Sequence, residues 1–374
     1  MAADGGVLHP RMGVYVITIR EKLGFEMDVT QIPVVDIGGL MSFPTDEDLD
    51  AALGDPAEEA LHEIVKEIAA AARAWGFFYI GNHSVPKHDV DQFQAAMRSF
   101  FRLPTSVKSS IRRRATNARG YFNDELTKHR TDWKECLDFG SVEEDTSPGS
   151  GSHERLGEDA NQWPEEKLVP GFRQVMRHYF GQMEHLSRRL LKVFAVALGA
   201  EPAFFDPFFD RDSSSFLRLN HYPVAPEPAM TMGVHHHTDA GALTILLQDD
   251  QVASLQVYHR DSQTWTLVPS RKDTFTINIG DMLQVWSNDK FIAPLHRVLA
   301  HSDADRFSAP FFYNPSYKTH VKPIVLTEGE EPKYRSLSWR EFRLARFQGD
   351  YANRGKEIQI DDFRIHKPIN VSIP

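Results

Sequence analysis

The sequence predicts a mainly β fold with flanking helices, built around a double-stranded β-helix (jelly-roll) core. Short apolar segments recur about every ten residues between residues 216 and 313, and turn residues separate them. Eight short strands at this spacing are typical of two packed sheets that form a barrel-like vessel. The apolar residues before and after this part recur at helical spacing instead. A set of His and Asp residues on the strands indicates a metal site in the vessel.

The region that precedes the β-rich part contains most of the predicted helices. Residues 1–30 form an N-terminal extension, and a strand is predicted at residues 32–37. Apolar residues at helical spacing predict helices at residues 57–75 and 89–101. Between them, the run WGFFYI at residues 75–80 predicts a buried strand. Its residues Trp75, Phe77 and Phe78 are therefore expected in the core.

Residues 141–166 form an acidic segment that is rich in Ser and Gly and has no hydrophobic period. A loop of this length inside a compact chain is usually functional or disordered. A lid over a pocket and a plain insertion both remain open as interpretations. An apolar stripe over residues 183–197 predicts a strong helix that ends at Gly199.

The β-rich part and the segment after it complete the predicted organisation. Strands are predicted at residues 216–222, 243–247, 254–258, 265–268, 275–279, 282–286, 295–299 and 307–313. A helical pattern returns at residues 334–355. The predicted units are the extension 1–30, a helical N-terminal region 31–200, the jelly-roll core 201–325 and a C-terminal helical segment 326–374.

Composition excludes several classes of protein. The net charge of −10 argues against a nucleic-acid partner, because phosphate contacts need clustered Lys and Arg. Cys136 is the only cysteine, which excludes an intrachain disulfide and a thiolate-rich metal site. No apolar stretch approaches the roughly 18 residues that span a bilayer, and no signal segment is evident. We expect a cytoplasmic protein without a membrane partner, and its oligomeric state stays open.

His237, Asp239 and His296 are the candidate metal ligands. Side chains two residues apart on an extended strand share a face, so His237 and Asp239 point the same way. A His from a distant strand completes two imidazoles and one carboxylate, the ligand set of non-haem Fe(II) oxygenases. His235 lies on the same face and is an alternative ligand. We favour His237 because neighbouring ligands chelate with little strain, and expect His235 to line the pocket or support a ligand.

A second group of residues is suited to binding a carboxylate. Arg218, Asn220 and Tyr222 share one strand face, and Arg306 and Ser308 share another. The Arg guanidinium supplies paired donors, and Ser and Tyr hydroxyls add single hydrogen bonds. The pattern therefore indicates an anionic co-ligand that is anchored by Arg beside the metal.

These segments resemble the Fe(II)- and 2-oxoglutarate-dependent dioxygenases of the isopenicillin N synthase-like group. They run in the order of that group between residues 31 and 315, with a weaker match as far as Gly355. The matching segments are IPVVDIGGL, WGFFYIGNHSVP, FFRLP, RGYF, NHYP, HTDAGALTILLQD, INIGDMLQVWSND, HRV and RFSAPFFYNP.

The resemblance implies roles for individual residues. It implies that the iron ligands are His237, Asp239 and His296. It also implies that the distal carboxylate of 2-oxoglutarate binds Arg306 and Ser308, with Tyr222 as a third donor, and that Asn220 lines this site. Fe(II), 2-oxoglutarate as co-substrate and O₂ are then required, with ascorbate as a candidate reductant.

The implied reaction is oxidation of a C–H bond of a small organic substrate by hydroxylation, desaturation or oxidative cyclisation, in specialised-metabolite biosynthesis. Three other interpretations remain open. A 2-oxoglutarate-independent Fe(II) oxidase of isopenicillin N synthase type would use the same ligands. A non-catalytic jelly-roll binding module would keep the fold alone, and a zinc hydrolase would share the ligand types. Asp281 is expected to cap the turn after Gly280.

Overall fold

The structure is a computed structural model, and some segments lie outside the residues that it describes. It describes residues 31–114, 117–127, 130–141, 159–209, 213–249, 251–350 and 358–366, without the side chains of residues 347–350. The predicted extension at residues 1–30 lies outside them, as does most of the acidic loop (142–158). The interpretation of that loop as a lid or as an insertion therefore stays a prediction.

The described α-helices lie mostly before the β-rich part of the chain. They are α1 (Gly38–Met41), α2 (Asp46–Gly54), α3 (Glu59–Ala74), α4 (Lys87–Phe101), α5 (Thr105–Lys108), α6 (Phe172–Ala197), α7 (Asp281–Trp286) and α8 (Trp339–Asp350). None of the helices in the described ranges has the combination of length and apolar character that a membrane crossing requires.

The strands of the N-terminal part are β1 (Val34–Asp36), β2 (Phe77–Gly81), β3 (Gly120–Phe122), β4 (Leu126–Thr127), β5 (Arg130–Thr131) and β6 (Glu135–Gly140). The β-rich part contributes β7 (Phe216–Tyr222), β8 (Met232–His237), β9 (Leu243–Gln248), β10 (Leu255–His259), β11 (Thr264–Leu267), β12 (Phe275–Ile279), β13 (His296–Leu299) and β14 (Arg306–Tyr313). Two short strands follow, β15 (His320–Val321) and β16 (Leu337–Ser338).

Two sheets form the vessel that the sequence predicts. The major sheet has eight strands in the order β1-β2-β12-β9-β14-β7-β6-β3, and the minor sheet has four in the order β11-β10-β13-β8. Strands from before residue 201 thus supply half of the major sheet. The division of the chain at residue 200 stays a prediction, while the mainly β class with flanking helices is confirmed.

Alternate residues of β2 belong to two different cores. Phe77 and Tyr79 pack in a cluster with residues of both sheets, such as Leu246 of the major sheet and Val257 of the minor sheet. Phe78 joins the larger cluster, which also contains the apolar face of α6. This division follows from strand geometry, because successive side chains point to opposite faces. One face of the major sheet therefore lines the vessel, and helices cover the other.

Seven of the eight strands predicted in the β-rich part are present, with ends that differ by at most two residues. The prediction of a strand at residues 282–286 is wrong, because this segment forms α7. The chain turns at Gly280, and the backbone N–H of Gln284 donates to the backbone carbonyl of Gly280 in a helical turn (3.1 Å). All side chains of this run are buried, so it shows no periodicity that separates a strand from a helix. α6 also begins earlier than predicted, at Phe172.

Candidate metal and co-substrate site

The last residue of β8 and the first residue of β13 lie side by side in the minor sheet. His237 of β8 pairs with His296 of β13, so both imidazoles reach the same side. Asp239 was predicted on the strand of His237, but β8 ends at His237 and Asp239 follows in the turn to β9. Its Oδ1 atom still lies 3.6 Å from Nε2 of each imidazole. Within the described ranges, no other group of three His, Cys, Asp or Glu side chains brings its ligand atoms within 4.8 Å of one another.

The backbone holds both imidazole rings in one tautomer. Nδ1 of His237 lies 2.8 Å from the carbonyl oxygen of His235, and Nδ1 of His296 lies 3.1 Å from that of Pro294. An Nδ1–H that donates to a carbonyl leaves the Nε2 lone pair free for a metal, which is the usual arrangement of metal-binding histidines. Each Nε2, on the side of Asp239 Oδ1, is therefore the ring nitrogen that is available to a metal.

The two carboxylate oxygens of Asp239 have different partners. Oδ2 accepts hydrogen bonds from Thr244 Oγ1 (2.6 Å) and Asn278 Nδ2 (2.8 Å). Oδ1 is left to face the imidazoles. Sequence reasoning missed both supporting residues. Polarity alone does not single them out, because Gln248 on β9 and Thr276 on β12 are buried polar residues as well.

The charges in the site suit a divalent cation. Burial alone would raise the pKa of Asp239, but His296 and His237 outweigh it and hold that pKa well below its usual range. Burial, with the charge of His296, lowers the pKa of His237. Burial opposes protonation of His296, but the charge of Asp239 raises its pKa above the ordinary value. The carboxylate of Asp239 is therefore ionised, and its negative charge favours a cation beside the two imidazoles.

The four residues predicted to bind the carboxylate of 2-oxoglutarate also come together. Cross-strand pairing of β14 with β7 places Arg306 opposite Tyr222 and Ser308 opposite Asn220. The Arg306 guanidinium lies 4.9 Å from the centre of the Tyr222 ring. Its Nη1 donates to Ser308 Oγ (3.4 Å), which also accepts from Asn220 Nδ2 (3.3 Å).

Arg306 retains unused hydrogen-bonding capacity. Its residue surface is only 2% exposed, and its Nε has no hydrogen-bond partner among the described residues. A buried guanidinium without an anionic partner is costly, so this site fits a ligand carboxylate. One cavity is lined by Arg306 together with His237, Asp239 and His296, and a neighbouring cavity reaches His237 and Asp239 from the side of Trp339.

Arg218 shares a strand face with Asn220 and Tyr222, but carboxylates of the chain already bind it. Its guanidinium donates to both oxygens of Asp138 (2.8 Å each) and to both oxygens of Glu125 (2.9 Å each). Burial opposes ionisation of Glu125, yet Arg218 and the neighbouring lysine hold its pKa far below the usual range. Arg218 is therefore a structural ion-pair residue.

His235 is not part of the group formed by His237, Asp239 and His296. Its Nδ1 lies 3.0 Å from Oδ1 of Asp132, and its backbone N–H donates to the same oxygen (3.1 Å). Asp132 directly follows β5, so this contact joins β8 to the end of the β4–β5 hairpin. The geometry therefore favours His237 over His235 as the ligand.

The expectation that Asp281 caps the turn after Gly280 is wrong. Gly280 is the N-cap of α7, and it makes no side-chain capping bond. Asp281 is the first helical residue, and its Oδ2 instead lies 3.2 Å from Nη1 of Arg346. Burial raises the pKa of Asp281 to about 6, although Arg346 opposes that shift.

Two protein families match the chain. Residues 213–315 match the 2OG-Fe(II) oxygenase superfamily, and residues 32–166 match the N-terminal region described as non-haem dioxygenase in morphine synthesis. Jasmonate-induced oxygenase 2 of Arabidopsis thaliana is 31% identical over 84% of this chain and 79% of its own length. Homoarginine-6-hydroxylase 2-ODD-C23 of Glycine max is 32% identical over 85% of this chain and 94% of its own length.

Solved structures share the fold. JOX2 in complex with 2OG, Fe and JA has a TM-score of 0.70 and 28% identity, over 87% of each chain. A full-length Neurospora crassa protein in complex with alpha-KG and 5-formyluracil has a TM-score of 0.69 and 26% identity, over 87% of this chain and 99% of its own. The chain therefore belongs to the 2OG-Fe(II) oxygenase superfamily and is a non-haem iron, 2-oxoglutarate-dependent dioxygenase. The predicted family, fold class, iron, 2-oxoglutarate and O₂ are confirmed.

The support of Asp239 by Thr244 can be tested with Thr244→Val. Loss of the hydrogen bond to Oδ2 should weaken metal affinity by about tenfold, as for other residues that orient metal ligands. Equilibrium dialysis with Co(II), a stand-in for Fe(II), measures this. Thr276→Val is the matched control, since Thr276 is equally buried and bonds Gln248 instead. A folded Thr244→Val protein with unchanged Co(II) affinity would show that the hydrogen bond does not support the ligand.

Proposed function

We propose that His237, Asp239 and His296 bind the catalytic Fe(II), and that Arg306 and Ser308 bind the distal carboxylate of 2-oxoglutarate. The observation that carries this proposal is the position of three converging ligand atoms next to a buried, incompletely bonded guanidinium in one cavity. The oxidising chemistry belongs to the bound iron with 2-oxoglutarate and O₂, which together attack a substrate C–H bond.

The role of the protein residues is to bind and orient. His237, His296 and Asp239 supply three ligand atoms from one side, so the opposite coordination positions stay available. The carbonyls of His235 and Pro294 fix the two rings through their Nδ1 atoms, and each Nε2 is left for the metal. Such preorganised ligands need little rearrangement when the cation enters.

Arg306 sets the orientation of the co-substrate. A carboxylate opposite Arg306 and Ser308 can accept a charge-assisted hydrogen bond and a hydroxyl hydrogen bond. Tyr222 packs against the guanidinium and limits the directions it can take. Asn220 orients the Ser308 hydroxyl through the bond to Oγ. Bound in this way, 2-oxoglutarate would lie in the cavity that Arg306 shares with His237, Asp239 and His296.

The neighbouring cavity is the proposed substrate site. It adjoins His237 and Asp239, and its apolar walls include Leu126, Phe216 and Trp339. We propose that it holds a small organic molecule whose C–H bond is hydroxylated, desaturated or closed into a ring. The relatives include jasmonate-induced oxygenases and a homoarginine hydroxylase, and we propose that this chain acts in specialised-metabolite biosynthesis.

We further propose that the enzyme acts in the cytoplasm on a free small molecule. Cys136 is its only cysteine and is buried, in keeping with a reducing compartment. The net charge of −10 disfavours nucleic acid as a partner.

Alanine substitutions at the two candidate histidines test the ligand register. His237→Ala removes a proposed ligand and should abolish both Co(II) binding and turnover. His235→Ala removes only the contact with Asp132, so metal binding should persist. Co(II) titration of both variants measures the difference. The opposite pattern, in which His235→Ala loses metal and His237→Ala keeps it, would make His235 the ligand.

Arg306→Lys tests the co-substrate site. Lysine keeps the charge but loses the forked donors, and we expect a cost of at least about 2 kcal/mol, or roughly 30-fold in the KM for 2-oxoglutarate. Iron affinity measured without 2-oxoglutarate should not change. Arg297→Lys is the control, because Arg297 bonds Gln256 and lies over Trp265, outside the cavity.

Succinate release at varied 2-oxoglutarate concentrations gives the KM for both variants. An unchanged KM in Arg306→Lys would reject Arg306 as the anchor. Full substrate turnover without any 2-oxoglutarate would instead support the alternative of an Fe(II) oxidase of isopenicillin N synthase type.

A further inference from the structure

The C-terminal helix α8 reaches the turn that connects two of the proposed iron ligands. Arg346 lies on α8, and its residue surface is only 4% exposed. Its Nη2 donates a hydrogen bond to the backbone carbonyl of Thr238 (3.0 Å). Thr238 stands between His237 and Asp239. A side chain that is distant in sequence therefore contacts the single residue that joins the two ligands.

Other contacts fix the guanidinium of Arg346 in this position. Nη1 donates to Asp281 Oδ2 (3.2 Å) and to Gln359 Oε1 (3.1 Å). The backbone N–H of Asp281 in turn donates to the carbonyl of Asp239 (2.7 Å). Arg346 thus binds the carbonyl of Thr238, and the backbone of Asp281 binds the carbonyl of Asp239. An ion pair joins Arg346 to Asp281.

The same turn is packed closely against the start of α7. A Cβ atom on Gly280 would lie 2.2 Å from the carbonyl oxygen of Gly241, so only glycine allows this approach. The amide of Gly280 donates to Ala242 O (2.9 Å), and that of Met282 donates to Gly241 O (2.9 Å). The start of α7 therefore fixes the turn at Gly241 and Ala242, and Arg346 fixes it at Thr238.

Asp239 needs this support because the sheet does not provide it. His237 and His296 lie within paired strands, where the ladder of hydrogen bonds sets the backbone direction. Asp239 lies beyond the end of β8, so its backbone direction depends on the turn. Metal ligands must be held to within about half an ångström of the productive geometry.

We propose that Arg346 is a positioning residue of the iron site, which holds the Thr238 carbonyl and thereby presents Oδ1 of Asp239 to the metal. This inference rests on the ligand set proposed above. It assigns a function in metal binding to α8, which lies after residues 213–315, the range that matches the superfamily. No sequence motif marks Arg346, because its partners are backbone carbonyls and a carboxylate distant in sequence.

Co(II) binding by the full chain tests the proposal without any need for substrate. Arg346→Lys keeps the positive charge near Asp281, but its single nitrogen cannot take the positions of both Nη1, which bonds Asp281 and Gln359, and Nη2, which bonds Thr238. The double variant Arg346→Met, Asp281→Asn removes both buried charges together, so neither is left unpaired. Arg340→Lys is the matched control, since Arg340 is an exposed residue of the same helix. Each variant is measured for its Co(II) Kd, for its visible Co(II) spectrum, which reports coordination geometry, and for its Tm.

We expect both Arg346 variants to bind Co(II) at least about tenfold more weakly and with an altered spectrum, and Arg340→Lys to match the wild type. A folded Arg346→Lys protein with the wild-type Kd and spectrum would overturn the proposal, even if its Tm fell, because Arg346 would then be structural only. If the double variant does not fold, Arg346→Lys decides the question. Wild-type Co(II) binding by His237→Ala would be a different result, since it would reject the ligand set itself.

Discussion

The carboxylate of Asp239 is the group on which the arrangement of the site depends. It is ionised and only 6% exposed, and a buried charge is costly unless partners satisfy it. Thr244 and Asn278 satisfy Oδ2 from two adjacent strands of the major sheet. Oδ1 is left to the imidazoles of the minor sheet. The two sheets must therefore pack in one register for the ligand group to form.

Arg306 is a buried charge of the vessel with the opposite sign and fewer partners. Arg306 projects from the major sheet, where its contacts are the Ser308 hydroxyl and the Tyr222 ring. Arg218, two strand positions from Asn220, is by contrast bound by two carboxylates of the chain. Arg306 is therefore suited to an external anion, whereas Arg218 is not, because carboxylates of the chain already bind it. An anion that binds both Arg306 and the metal would supply the partner that Arg306 lacks and would add to the three proposed metal ligands.

The sequence predicted those features that depend on local periodicity and on motifs. Alternation placed Asn220 with Tyr222 and Arg306 with Ser308, and the strand pairing of the structure then joins the two pairs. The prediction failed for residues 282–286, where every side chain is buried and no period exists to be read. Thr244 and Asn278 were missed because their roles depend on which strands are neighbours. Arg346 was missed because α8 reaches the Thr238 carbonyl only through the tertiary fold.

We propose that His237, Asp239, His296 and Arg306 form one site for a metal and a bridging anion. If so, each ligand must raise the affinity for the other by the same factor. Anaerobic calorimetric titration of 2-oxoglutarate into the full chain, with and without saturating Fe(II), measures this coupling. We predict one Fe(II) per chain and a 2-oxoglutarate Kd at least about tenfold lower when Fe(II) is bound. An equal Kd in both titrations would contradict the account, because Arg306 and the metal would then act on separate ligands.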